Sequence, residues 1–511
     1  MIGKRTVLLF CSILFLALLA GIQHGLWRPD EPQVAGVCAE MAYQKDFIVP
    51  RLNGQPFLEK PPLYYALGAA LGHIFGEDND FSYRLVSIFF ACLTLFITLR
   101  MVSMRSGIMS GLLASGVLAS SWGFFRLARW IQVDMCLVFS VTLAMFAYMK
   151  LSEKSMQGRA MLMGLGIGLS FMAKGLVGPA IIVAAVVTDV ILKRNLSIIK
   201  KIRPLWILAI MLLTVLPWIL ALYGRGGLSF LREVIVVNNL MRFTGAPEGA
   251  ALGHMHGPFF YLRTFPSDFL PWTFAFIPAL ISSLREPKDD PYMPWFVGPF
   301  LLLSLASAKR GLYLIPLFPA CACMTALWLS RAGKLRWEEF VVKVIWLIAM
   351  LGAFFPFVGI FFRRPVLGII LGVLSLAGLH IISKWRARDA LGLVMVMCIS
   401  LSAGTTVYYS AMKEKRDYLG FTRDALHKAE GSEIIVLAPD EIFEGTLPLI
   451  TGRTYKCVRR PADIRQEGLY IWADKNDIFI REVEKIAKVE MVLEKKIGNR
   501  LARLALIRPN H

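Results

Sequence analysis

Several features that mark soluble classes are missing from this chain. Its eight cysteines form no metal-type pair of pairs, and Cys11, Cys92, Cys136, Cys321, Cys323 and Cys398 lie inside apolar runs, where a thiol packs as a small hydrophobe. No disulfide framework is implied. There is no internal repeat, no low-complexity tract and no sign of the broken-helix repeats of secondary transporters. Acidic residues are scarce, 36 against 56 Lys and Arg, for a formal net charge of +20. Such an excess would suit nucleic acid, but the basic residues fall in short loops between apolar runs and not on one patch or motif. The asymmetry of membrane topology explains them better.

What the sequence does have is apolar surface. Of its 511 residues 56% are hydrophobic, and the mean hydropathy is +0.58, beyond what a soluble domain carries. The chain reads as a polytopic α-helical membrane protein. About thirteen stretches of spanning length can be drawn, from 7–26 to 390–410, among them 82–102, 107–124, 132–149, 160–176, 177–193, 204–223, 262–284 and 312–330. Lys4 and Arg5 precede the first run as in a signal peptide, yet no small-residue cleavage site follows it and many spans come after, so it is expected to stay.

Orientation follows from charge. With a cytoplasmic N-terminus, alternate loops carry Arg100 and Arg105, then Lys150, Lys154 and Arg159, then Lys193, Arg194, Lys200, Lys201 and Arg203, later Arg331, Lys334 and Arg336, and finally Lys384, Arg386 and Arg388. The opposite side receives two long outer loops, 27–81 and 224–261. These belong to a transmembrane part, 1–410, and an odd span count puts the tail, 411–511, on the same outer side, the periplasm of a bacterial inner membrane. In the tail a helix-like FTRDALHKAE, the apolar run Ile434 to Leu437, the run Gly468 to Trp472 and a turn at Gly498–Asn499 fit a small soluble α/β domain. With no Gly-rich phosphate loop and no triad-like set, that domain is expected to play a supporting role.

The most informative stretch runs from Arg28 to Tyr65, in the first outer loop. Asp30 and Glu31 stand side by side where the first span should emerge into water, and Glu59 and Lys60 are followed by Pro61 and Pro62, which fix the backbone. Adjacent acids repel, so they persist where a cation, a metal or a developing positive charge sits between them. A solvated interfacial loop is the other reading.

The order Asp30-Glu31, then Val49-Pro50-Arg51-Leu52-Asn53-Gly54, then Glu59-Lys60-Pro61 resembles the polyprenyl-phosphate-sugar transferases of the protein O-mannosyltransferase-like (GT-C) superfamily, most closely the aminoarabinose lipid A transferases. That family usually follows the acidic pair with x-Arg-Tyr, where this chain has Pro32, Gln33 and Val34. Asp134, opening the fourth span, resembles an aspartate that the superfamily carries near its site; a helix N-terminal acid favoured by the dipole is the alternative. Lys174, at the junction of two apolar segments, would suit a lipid phosphate or would snorkel to headgroups. Asn238-Asn239 and Arg242-Phe243 resemble the core of the family's second outer loop, with Asn239 where the aminoarabinose transferases place a metal-binding histidine. A neutral amide is a poor transition-metal ligand. The stretch Lys309 to Pro316 resembles the family's Lys-Leu-Pro-x-Tyr-x-Leu-Pro element, with Arg310-Gly311 departing from Leu-Pro.

The resemblance implies a GT-C fold and an inverting glycosyltransferase that moves a sugar, such as 4-amino-4-deoxy-L-arabinose, from undecaprenyl phosphate to lipid A or a related envelope acceptor. It implies that Asp30, Glu31 and Asp134 serve the chemistry and that Lys60, Lys174, Arg242, Lys309 and Tyr313 hold the donor phosphate. Glu59 and His256 are the expected ligands of a divalent metal, if one is used, and no nucleotide cofactor is expected. Partners are the lipid-linked donor, the acceptor and membrane lipids. A lipid-linked sugar flippase or transporter and a protein O-glycosyltransferase are the alternatives.

Overall fold

The computed structural model describes residues 4–510 apart from 23, 28–29, 151–155, 196–201, 251–252, 333–335, 363, 385–389, 438–440 and 476–477. Of the basic loop residues above, Lys154, Lys200, Lys201, Lys334, Arg386 and Arg388 lie outside the described residues. The chain divides into two compact units. One comprises Met1–Ile22, Leu58–Leu63 and Ser87–Tyr408; the other comprises Gln23–Phe57, Tyr64–Val86 and Tyr409–His511.

The larger unit is helical. Among the described residues five helices are long and apolar enough to cross a membrane, Asp80–Ser120, Pro204–Thr244, Gly311–Leu329, Arg336–Ile360 and Ala390–Met412, and the pair Phe260–Asp268 and Thr273–Arg285, bent by 120°, forms a broken span or a re-entrant loop. The difference from about thirteen has identifiable causes. Several runs form helices too short to count, such as Asp134–Met149 with 16 residues and Met293–Leu305 with 13. Another pair is merged: Asp80–Ser120 contains both 82–102 and 107–124, broken at Gly107 with φ +83. Ser115 Oγ donates to Leu95 O at 3.2 Å, whereas 20 residues of straight helix would separate them by roughly 30 Å. The element is therefore a helical hairpin turning at Gly107, whose φ only glycine adopts freely.

Small residues let these helices approach closely. A Cβ on Gly164 would stand 2.5 Å from Ile207 O and one on Gly168 2.7 Å from Thr214 Cβ. One face of helix Met156–Lys174 is thus fitted to helix Pro204–Leu231 by small residues four apart, which favours close packing in an apolar solvent. The expected outer loop from 224 is helical at its start. Helix Pro204–Leu231 breaks at Gly227 and continues as a π-helix, Arg232–Met241, and a last turn, Arg242–Thr244. The apolar residues Val234, Ile235, Val236 and Val237 keep this stretch attached to packing surface, Val234 and Val237 being buried, so it does not leave as a loop.

The smaller unit is α/β. Its five-stranded sheet runs in the order Cys457–Val458, Ile434–Leu437, Gly468–Asp474, Arg500–Pro509 and Ala487–Ile497. The first three strands pair in parallel and the last two antiparallel. Ile434 to Leu437 is buried at every position, as a parallel strand covered on both faces must be. Gly498, with φ +63, makes the expected turn between the last two strands.

The first outer loop, apart from Leu58–Leu63, belongs to the same unit as this tail. In helix Asp30–Gln44, a Cβ on Gly36 would stand 2.6 Å from Gly445 Cα of helix Ile442–Thr451, so the two helices meet at a glycine pair. The V-P-R-L-N-G motif forms a two-residue hairpin. Arg51–Leu52 pairs antiparallel with Gln55–Pro56 around Asn53 and Gly54, with φ +52 and +80, the left-handed pair that an Asn-Gly turn supplies. Asn53 Nδ2 donates to Tyr455 O at 2.9 Å and Oδ1 accepts Tyr455 N–H at 2.7 Å. Glu40 Oε1 accepts Gly54 N–H at 2.8 Å, and burial pushes this carboxyl above its usual range.

Candidate active site

The larger unit contains a cavity of about 470 Å³ whose wall includes Glu59, Lys60, Asp134, Lys174, Arg242 and Tyr313. Glu59 and Lys60 come from the loop before helix Leu63–Phe75 and Tyr313 from the 3-10 helix Gly311–Leu317; three further elements deliver the rest. Asp134 is the first residue of helix Asp134–Met149 and Lys174 the last of helix Met156–Lys174, so each charge opposes the partial charge of its helix end. Arg242 follows the π-helix. Wide turns of this kind re-aim side chains and recur at functional sites.

The cavity is held by reciprocal pairs. Lys174 Nζ lies 2.5 Å from Asp134 Oδ1 and 4.3 Å from the centroid of the Tyr313 ring. Glu59 stands between two cations, 3.2 Å from Lys60 Nζ and 3.7 Å from Arg242. Gly175, with φ +64, ends the helix behind Lys174, and Leu176 N–H donates to Asn239 Oδ1 at 2.8 Å. Asn239 Nδ2 donates to Val234 O at 2.6 Å. The residue at the expected metal position is thus a clasp joining the helix break to the π-helix. Beyond the polar groups much of the wall is apolar, with Val177, Val183, Phe243, Leu302 and Leu303. A compact cationic head beside an apolar chamber is complementary to an amphiphilic phosphate.

Other expected site residues are placed differently. Lys309 does not line the cavity. Its ammonium, 2% exposed, donates to His256 O at 2.9 Å and to Ala306 O, and burial pushes its pKa below the usual range. It fastens a turn, and the neighbouring Arg310 lines the cavity instead. His256 is exposed and stacked on Phe260, with centroids 4.3 Å apart. Glu31, in the smaller unit, uses both oxygens internally: Oε2 accepts Trp27 N–H at 2.7 Å and Oε1 meets Arg84 at 2.9 Å, with the Glu31 side chain 1% exposed. Asp30 opens helix Asp30–Gln44 and is half-buried.

The dolichyl-phosphate-mannose-protein mannosyltransferase family matches residues 41–226. An undecaprenyl phosphate-alpha-4-amino-4-deoxy-L-arabinose arabinosyl transferase of Pectobacterium atrosepticum is 27% identical over 430 residues, covering 82% of this chain and 73% of the relative. That of Serratia proteamaculans is 27% identical over 400 residues, covering 74% and 70%. The crystal structure of ArnT from Cupriavidus metallidurans bound to undecaprenyl phosphate superposes with a TM-score of 0.81 at 18% identity, over 98% of each chain. The chain has the fold of this ArnT structure, and its sequence is similar to the aminoarabinosyl transferases. The apo form of the same ArnT gives a TM-score of 0.78 at 17% identity. With its long apolar helices the chain is a multi-pass membrane protein.

The donor set bears on metal. Glu59 is engaged by Lys60 and Arg242, and among the described residues no group of three or more His, Cys, Asp or Glu side chains could hold a metal ion. Glu59 and His256 alone are too few ligands for a tight transition-metal site, so the residues present do not fit one. Gln132, two residues before Asp134, was given no role from the sequence, and Asn238 was named only within the loop core; both line the cavity.

Proposed function

We propose that the chain is an inverting glycosyltransferase of a bacterial inner membrane that moves a sugar from undecaprenyl phosphate to lipid A or a related envelope acceptor. The amphiphilic cavity carries this reading, because its cations suit a phosphate and its apolar wall suits a polyprenyl chain. The aminoarabinosyl transferase relatives point to 4-amino-4-deoxy-L-arabinose as the first sugar to test.

The chemistry is one displacement at the anomeric carbon. As the glycosidic C–O bond breaks, negative charge grows on the undecaprenyl phosphate oxygens, and Lys60, Lys174, Arg242 and Arg310 stabilise it more than they stabilise the bound donor. Tyr313, under the Lys174 ammonium, holds that cation in place. A hydroxyl acceptor needs its proton removed, the task that the family resemblance gives to the Asp30 carboxylate. A lipid A phosphate is already anionic, and Asp30 then orients the acceptor. The one-sided basic loops orient the tail and the site toward the periplasm.

The test is transfer by the full chain in phospholipid vesicles, supplied with undecaprenyl phosphate-aminoarabinose and lipid A and read by mass spectrometry. Lipid A gaining one sugar mass, with loss of product in Asp30→Asn, is the expected result. Failure to bind undecaprenyl phosphate and to form product would overturn the reading.

A further inference from the structure

Gln132 and Asn238 stand in the wall of the same cavity as Asp134 and Lys174, and both are more than nine-tenths buried, at 3% and 8% exposure. Each has a polar atom without a hydrogen-bond partner: Gln132 Nε2, a donor, and Asn238 Oδ1, an acceptor. Buried polar groups are nearly always paired, so two open ones in a single cavity wall call for an explanation.

The assignment of the Asn238 amide is fixed by its surroundings. Its Nδ2 faces three acceptors, Leu58 O at 3.3 Å, Glu233 O at 3.1 Å and Glu233 Oε1 at 3.2 Å. Turning the amide over would set oxygen against oxygen three times, so Oδ1 is the atom left open. An atom that only accepts cannot be satisfied by phosphate oxygens, which also only accept. It needs an O–H or N–H on the ligand. Gln132 Nε2 in turn needs an acceptor; phosphate and sugar oxygens both accept, and with Lys60, Lys174, Arg242 and Arg310 assigned to the phosphate the sugar oxygen is the one left for it. Its backbone is anchored, since Ser87 Oγ donates to Trp130 O at 2.6 Å and reaches Gln132 O at 3.5 Å.

Charge divides the work in the same way. Both carboxylates of the wall, Asp134 and Glu59, are engaged by Lys174 and by Lys60 and Arg242. The ionic groups are committed to each other and to an anion, and the two neutral amides remain for neutral polar groups. We infer that Gln132 and Asn238 are the residues that read the hydrogen-bonding groups of the transferred sugar, separately from the cations that read the phosphate. This rests on the function proposed above.

The experiment compares two ligands on the full chain in detergent by calorimetry, undecaprenyl phosphate alone and undecaprenyl phosphate-aminoarabinose. Gln132→Met keeps length and burial while removing the donor. It is expected to leave the affinity for undecaprenyl phosphate unchanged, to weaken the sugar-loaded donor about five- to tenfold, the worth of one hydrogen bond, and to raise KM for that donor more than it lowers kcat. Asn238→Leu serves as the second variant, with the same discrimination expected if it folds. Equal weakening of both ligands by Gln132→Met would show a structural role, and no change in either would remove the residue from the site; both results overturn the inference while the proposed function stands. A wild-type chain that binds neither ligand overturns both.

Discussion

Lys174 and Asp134, forty residues apart in the chain, meet at 2.5 Å with side-chain exposures of 9% and 2%. The pair joins the end of one helix to the start of another, and its cation also lies over Tyr313. A buried pair stabilises little relative to apolar packing, but losing one partner leaves a charge stranded.

That asymmetry separates stability from binding. Lys174→Met is expected to cost about 3 kcal/mol by leaving Asp134 unpaired, seen as a lower melting temperature in detergent. Adding Asp134→Asn should restore most of the stability without restoring undecaprenyl phosphate affinity. A double variant that recovers both would show that Lys174 does not touch the donor.

Glu31 has a different assignment from the chemical role expected of it. With both oxygens engaged by Trp27 N–H and Arg84, it clamps the start of helix Asp30–Gln44 and neutralises a buried guanidinium. Glu31→Ala should destabilise by about 3 kcal/mol, read by thermal denaturation. Glu31→Gln, which keeps the hydrogen bonds, should cost less and should retain transfer activity per folded molecule.

Gly175 places Lys174. Alanine there would meet both amide atoms of Asn239 at 2.7 Å and would have to adopt φ +64. Gly175→Ala should cost about 1–2 kcal/mol from the backbone alone, and the clash should shift Lys174 and weaken donor binding. Combining it with Asn239→Ala should relieve the clash and leave the backbone strain, a partial recovery that a melting curve resolves.

Metal is tested by removal. Because Glu59 is already held by two cations and the clasp residue is Asn239, transfer is expected to survive a zinc-selective chelator. Complete loss, restored by zinc alone and abolished by His256→Ala, would show that His256 supplies a ligand.

The sequence by itself determined the membrane class, because long apolar runs are a local property that no partner alters. The turn at Gly498 and the junction of two apolar segments at Lys174 were legible in it too, and the family resemblance named Lys60, Lys174, Arg242, Lys309 and Tyr313 as phosphate candidates. Only the tertiary structure decided which charges serve one another. Lys309 and Glu31 read as functional while their partners, the His256 carbonyl and the Arg84 guanidinium, each 53 residues away, were unseen. It also decided that the Asn53–Gly54 hairpin folds against Tyr455 of the tail, and that Gln132 and Asn238 keep open hydrogen-bonding atoms. Pairing and burial are set by residues distant in sequence, and a polar side chain carries no local mark of whether its partner is protein or ligand.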